Sequence, residues 1–215
     1  MQETDKIYFR KKIPSVLEAL QKKKFDPYFF ETPAEAKQFI LVQIKPGETV
    51  GIGGSVTLRE NLQIVQEIRK KGNTVYDHWE AENDPQRRIE LKRSHRGVDV
   101  FLSSTNAIAA DGTLVNLDGG GNRVASLCSG PKRVIVIAGA NKLVESVDEA
   151  IRRTRNRAAV QRVLRSQYKT PCEVTGVCSD CHAPQRICAA LLILMQKPAD
   201  IDQFTVVLVN EEMGY

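Results

Sequence analysis

Short apolar runs alternate with helix-forming stretches along this chain, and that alternation limits the fold more than any other feature. The runs Thr49–Ile52, Val98–Leu102, Val134–Ala138 and Phe204–Val209 are too short for helices and rich in β-branched residues. Such runs read as strands buried on both faces. Thr74–Asp77 and Tyr28–Glu31 are shorter strands. Between them lie helical patterns. An amphipathic stretch near Pro14–Lys24 belongs to an N-terminal helix over about residues 5–25. Thr32 caps, and Pro33 opens, a helix that runs to about Ile44 and stops before Pro46-Gly47. Others cover about Thr57–Lys71, closed by Gly72-Asn73, then Pro85–Ser94 after Asp84, about Val144–Gln167, and Ile187–Gln196. Strands linked through helices by short connections predict an α/β fold with a mostly parallel sheet and helices on both faces. With 215 residues and no repeat or linker, the whole chain reads as one domain.

Two glycine-rich stretches interrupt this pattern where ligands bind on such sheets, beyond the C-terminal strand ends. The first, Gly51-x-Gly53-Gly54-Ser55, follows a strand and opens a helix. It resembles a dinucleotide fingerprint, with Asp77 placed as a ribose acid, but Val56 stands where the third glycine belongs. What survives is either an anion site at a helix start or a tight turn. The second lies between Val98–Leu102 and Val134–Ala138. It contains a hairpin, Ala107–Ala110 and Leu114–Leu117 around Asp111-Gly112, and the triple glycine Gly119-Gly120-Gly121. A simple turn takes about two to five residues, and this segment spends about thirty. It is either a decorated hairpin or, as favoured here, a binding site.

Arg123 is suited to a bidentate pair with a carboxylate or phosphate. Lys142 is a point charge, an acid/base group, or a solvated cation. Asn141 is a ligand or a helix cap, and Asp111 an acid/base group or a turn former. The predicted substrate site comprises Gly53, Gly54, Ser55, Thr57, Asn106, Asp111, Gly120, Gly121, Asn122, Arg123, Asn141 and Lys142. His78, Tyr76 and Trp79 are placed to wall a pocket or simply to pack.

The net charge is +5, and the densest basic group is Arg152, Arg153, Arg155, Arg157, Arg162 and Arg165. Val147, Ile151, Thr154 and Ala158 form the expected buried stripe of that helix, which puts the arginines in solvent. No aromatic residues interleave with them, so a nucleic-acid partner is not expected. The first residues lack the apolar core of a signal peptide, and the longest apolar run, Ile187–Met195, is too short to span a bilayer. The expected location is the cytoplasm. There, cysteines serve as metal ligands, redox groups or buried thiols rather than disulfides. Cys172, Cys178, Cys181 and Cys188 form C-x5-C-x2-C-x6-C in a loop over about residues 170–188. They are read as a four-thiolate site for zinc or an iron–sulfur cluster, or else as buried thiols, with Cys128 apart.

The segments NAIAADGTLVNLDGGGNRVASLCSGPKRVIVIAGANKLV, PCEVTGVCSDCHAPQRIC and TVVLVNEEMGY, with GIGGSVTLRE before them, resemble the LUD-domain family. These are lactate-utilisation proteins of bacteria and archaea, and the likeness runs from about Ala34 to Tyr215. It implies a fold like that of NagB, ribose-phosphate isomerase and CoA transferases, and a role in oxidising lactate beside iron–sulfur partner proteins. Asn106, Ala107, Gly112, Thr113, Gly121, Asn122, Arg123, Asn141 and Lys142 match the family pattern, while Asp111 stands where a common form has Thr. The cysteine set resembles that of the short stand-alone members. The expected function is therefore a subunit of, or accessory to, a redox system that oxidises lactate or a related hydroxy acid. The alternatives are a free-standing enzyme acting on a small anion of the sugar-phosphate or CoA-ester type, and a ligand-binding protein with a structural metal. Oligomerisation is compatible with each.

Overall fold

The computed structural model describes residues 1–215. The chain begins with α1 (Glu3–Lys22), β1 (Asp26–Phe30), α2 (Pro33–Gln43) and β2 (Thr49–Ile52). A π-helical turn at Thr57–Asn61 leads to α3 (Ile64–Lys70), followed by β3 (Thr74–Asp77), α4 (Pro85–Ser94) and β4 (Val100–Ser104). The central segment forms β5 (Ala107–Ala109), β6 (Leu114–Asp118), α5 (Asn122–Cys128), β7 (Arg133–Gly139) and β8 (Leu143–Val144). Then come α6 (Val147–Arg153), a π-helical turn at Thr154–Ala158, α7 (Ala159–Ser166), α8 (Pro171–Thr175), β9 (Ala190–Leu194) and β10 (Gln203–Val209).

Six strands build one parallel sheet in the order β1-β10-β7-β4-β2-β3. Side chains alternate between its faces, as pleating requires. Val134, Val136 and Ala138 of β7 join Phe204, Val206 and Leu208 of β10 in a core under α1, with Phe9, Ile13, Val16 and Leu20. The intervening Ile135, Ile137, Val207 and Val209 face the opposite core, with Ile40 of α2 and Ile64 and Ile68 of α3. The α/β architecture read from the alternation is thus present, with helices on both faces. A smaller sheet, β8-β5-β6-β9, contains the expected hairpin and packs on α6 through Ala107, Ala109, Val115 and Ala150. No helix is long and apolar enough to cross a membrane.

Two local expectations need correction. Ile187–Gln196 is not a helix. Its apolar run forms β9, antiparallel to β6 from Leu114↔Leu194 to Asp118↔Ala190. Periodicity cannot separate a helix from a strand in so short a run, and the otherwise open edge of β6 decides it. The expected helix over Thr57–Lys71 is broken, because Gln63 adopts φ 49 between the π-helical turn and α3. The stretch after the triple glycine is a short helix that the sequence pattern did not mark. Gly121, at φ 77, starts α5, and the Asp118 carboxylate accepts hydrogen bonds from Gly120 N (3.1 Å) and Arg123 N (2.8 Å).

Candidate functional site

A parallel sheet gathers the loops after its strands on one edge, and here five of the six strands deliver residues to one cleft there. Gly54, Ser55 and Thr57 follow β2, and His78 and Trp79 follow β3. Ser104 ends β4, with Thr105 and Asn106 after it; Lys142 follows β7, and Gly214 and Tyr215 follow β10. From the second sheet and α5 come Asp118, Gly119, Gly120, Asn122 and Arg123, and from the far wall Arg162 and Tyr168. The cleft encloses about 220 Å³. It lies where β2 and β4 sit side by side while their following connections diverge, the switch point at which open α/β sheets bind ligands.

Its lining is cationic. Arg88, Lys92, Arg123 and Arg162, with the buried amine of Lys142, share the cleft with one acidic side chain, Asp118, which is already engaged by the backbone N–H groups at the start of α5. Burial, then the nearby Arg88, pushes the Lys92 ammonium below its ordinary value. His78 is buried and held neutral, down to about 3, first by burial and then by His95 and Lys92. His95 is likewise pushed down to about 4 by burial, although its Nε2 lies 3.1 Å from Tyr76 O. Arg59, ion-paired with Asp77, stacks 4.1 Å from the Trp79 ring centroid and fixes that wall of the cleft.

Arg123 is in the cleft wall, but its fork is spent. Nη1 donates to Ser104 O (3.0 Å) and Asn116 Oδ1 (2.7 Å), and Nη2 to Asn106 Oδ1 (2.8 Å) and Leu117 O (2.6 Å). The expected bidentate pair with a ligand is therefore corrected. Arg123 ties the end of β4 to β6 and α5, and contributes charge rather than free donors. Lys142 is buried, 4% exposed, with Nζ donating to Ser104 Oγ (2.6 Å) and Thr57 Oγ1 (3.4 Å). Burial, then Arg153, then Arg123, pushes it down to about 7.

The other expected residues divide. Gly54, Ser55, Thr57, Asn106, Gly120, Asn122, Arg123 and Lys142 meet in the cleft. Gly53, Gly121, Asn141 and Asp111 do not line it. Gly53 permits close packing, since a Cβ there would stand 2.9 Å from Ser103 Oγ. In the turn after it, Ser55 Oγ accepts from Leu58 N (3.3 Å), capping one N–H of the π-helical turn. The triple glycine is split between tasks. Gly119 admits the Ile187 backbone, with Cα 3.1 Å from a would-be Cβ; Gly120 lines the cleft, and Gly121 starts α5. Asn141 accepts from Met213 N (3.1 Å) and donates to Gly214 O (3.3 Å), latching the chain that brings Tyr215 to the cleft. Asp111 accepts from Thr113 N (2.9 Å) and Oγ1 (3.0 Å) and pairs with Lys23, so it is the turn former.

Arg153 overturns the all-solvent reading of the arginine helix. It is buried and donates through Nε to Asn141 O (2.9 Å), with Nη1 bonded to Asn106 O. The buried residues of this stretch are Ala150, Arg153, Thr154 and Ala158, so Thr154 and Ala158 of the expected stripe are buried and Arg153 joins them. Arg162 enters the cleft from the same helix. Arg88 and Lys92, at i and i+4 on α4, and Ser104 were also not singled out from the sequence; the spacing of the α4 pair was the available signal. The four loop cysteines are half-buried free thiols, and no three metal-ligating side chains gather around a common point. Arg186 bonds the carbonyls of Cys181 and Cys188, and Arg155 Nη2 stands 4.0 Å from Cys178 Sγ.

A family model described as the LUD domain matches residues 13–209. No curated protein matches the chain. Among solved structures, a DUF162 family protein from Deinococcus radiodurans superposes with a TM-score of 0.55 at 12% identity, covering 94% of this chain and 98% of that chain. At that identity the likeness shows the fold alone.

Proposed function

This chain belongs to the LUD-domain family, which is associated with lactate utilisation, and on that premise we propose that its cleft binds a small hydroxy-acid or oxo-acid anion as one component of a redox system that interconverts the two. The observation that carries this reading is the lining, in which Arg88, Lys92, Arg123 and Arg162, with the buried Lys142 amine, stand against one engaged acidic side chain. Such a surface concentrates an anion and repels cations. Size narrows the choice. The enclosed 220 Å³ falls below the roughly 300–1,000 Å³ of clefts that engulf drug-sized ligands, which favours a three- or four-carbon acid over a CoA ester.

The loop cysteines belong to the same proposal. Four soft thiolates select zinc or an iron–sulfur cluster over hard cations. They are not gathered in this geometry, so a metal would have to order the loop around itself. Val174 and Val177 there are 83% and 62% exposed, so the loop has little core of its own to order it otherwise. Cys172, Cys178, Cys181 and Cys188 would hold the group, which as an iron–sulfur cluster would carry electrons and as zinc would brace the loop.

Calorimetric titration with L-lactate, pyruvate and the uncharged lactamide tests the anion reading. The expected result is a Kd tighter than about 1 mM for at least one acid, weakening with salt, and no heat with lactamide. Equal binding of lactamide, or no heat from either acid, refutes it.

A further inference from the structure

Lys142 differs from the other cations of the cleft in what surrounds its nitrogen. It is 4% exposed, and no carboxylate is among the groups that act on it; its charged neighbours are Arg153 and Arg123. An ammonium carries three N–H donors, and the protein supplies two acceptors, Ser104 Oγ and Thr57 Oγ1. Two donors and one lone pair describe a neutral amine. The Gly214 backbone closes over it, with a would-be Cβ 3.5 Å from Nζ, yet the residue still lines the cleft. A lysine kept only for structure has a counter-ion or reaches solvent. This one has no acidic partner among the groups that act on it, is only 4% exposed, and lines the space where the anion would sit.

We propose that Lys142 is a covalent nucleophile, whose Nζ adds to the carbonyl carbon of a small 2-oxo acid held in this cleft and forms an imine. The nitrogen lone pair makes the N–C bond while the carbonyl π pair moves to oxygen, which takes a proton. The nitrogen gives up one proton to leave a carbinolamine; the hydroxyl oxygen then takes a second proton, the C–O bond breaks and water leaves as the nitrogen lone pair forms C=N, and the nitrogen gives up its remaining proton. No oxidant or reductant is consumed. Desolvated lysines are the amines that enzymes use for this chemistry. The inference rests on the anion-binding reading, since a 2-oxo acid presents a carboxylate to the cations and a carbonyl to the amine.

At pH 7.5 a surface lysine is neutral about one time in a thousand. Lys142, pushed down to about 7, is neutral most of the time. The test incubates the full chain with pyruvate and borohydride at that pH and maps the modified peptides by mass spectrometry. Reduction of the imine should leave a carboxyethyl group on Lys142, exceeding that on Lys92 or any surface lysine by at least about tenfold. Excess L-lactate should compete, L-lactate alone should leave no label, and Lys142→Arg should abolish it. Calorimetry with pyruvate is run in parallel. Binding without the label, or a label spread over other lysines, overturns the inference and leaves the anion reading standing. Neither binding nor label overturns both.

Discussion

Replacing Lys142 by Met should stabilise the protein near neutral pH, and the gain should shrink as pH rises. The substitution keeps the volume and removes the amine. Lys142 is pushed from 10.5 down to about 7, so between those values the unfolded chain binds a proton that the folded chain refuses. Stability of the wild type therefore climbs with pH across that window, by up to about 1.4 kcal/mol per unit. The variant lacks this slope. All other titrating groups are common to both proteins, so they cancel in the difference between the two curves. Between pH 7 and pH 9 the stability gap should narrow by roughly 1.3–2.6 kcal/mol, the range for a folded value within about one unit of 7. Urea denaturation of both proteins at pH 7, 8 and 9, with equal m-values, measures it directly. A gap constant to within about 0.5 kcal/mol would mean that the amine is charged when folded, and both the site electrostatics and the nucleophile argument would fail.

Other outcomes follow from the same structure. His78 and His95 stay neutral down to about 3 and 4, so acid should destabilise the fold from about pH 6.5 downward as the unfolded chain takes up their protons. Between pH 6 and 4.5 the slope should approach about 2.7 kcal/mol per unit, and chemical denaturation of a His78→Asn/His95→Asn variant should be flatter. Arg123→Met leaves Ser104 O, Asn116 Oδ1, Asn106 Oδ1 and Leu117 O without their donor. It should cost about 3–5 kcal/mol and lower Tm by about 10 °C in calorimetric melting, well beyond an effect on binding alone. Anaerobically purified protein should contain iron or zinc that is lost in Cys178→Ser/Cys181→Ser. Stripping the metal should expose residues 170–188 to protease first; less than about 0.2 ions per chain would return the thiols to a packing role.

The alternation of apolar runs and helical stretches was enough to place the six strands, because β2, β4, β7 and β10 are buried on both faces and read as nearly continuous apolar runs, and the edge strands β1 and β3 follow from the strand–helix alternation. The C-terminal strand ends are also where the polar clusters fall, so Gly54, Ser55, Asn106, Arg123 and Lys142 could be placed near one another from sequence pattern and sheet geometry. The matching family segments carried the same residues. What a residue does with its hydrogen bonds was not legible. Arg123 and Asn141 have the chemistry of ligand-binding groups, and only the packing of β6, α5 and the Met213–Tyr215 segment reveals that their donors are engaged.

By itself, the sequence determined layer order and the edge of the sheet that would hold a site, since both depend on short-range periodicity and on where strands end. Tertiary structure alone decided that Ala190–Leu194 is a strand, that Arg153 is buried, and that Lys142 is buried beside Arg153 and Arg123 with no acidic partner. Each of these depends on a partner dozens of residues away. An open strand edge, the Asn106 and Asn141 carbonyls that hold Arg153, and the lack of an acidic side chain beside Lys142 leave no mark on local composition.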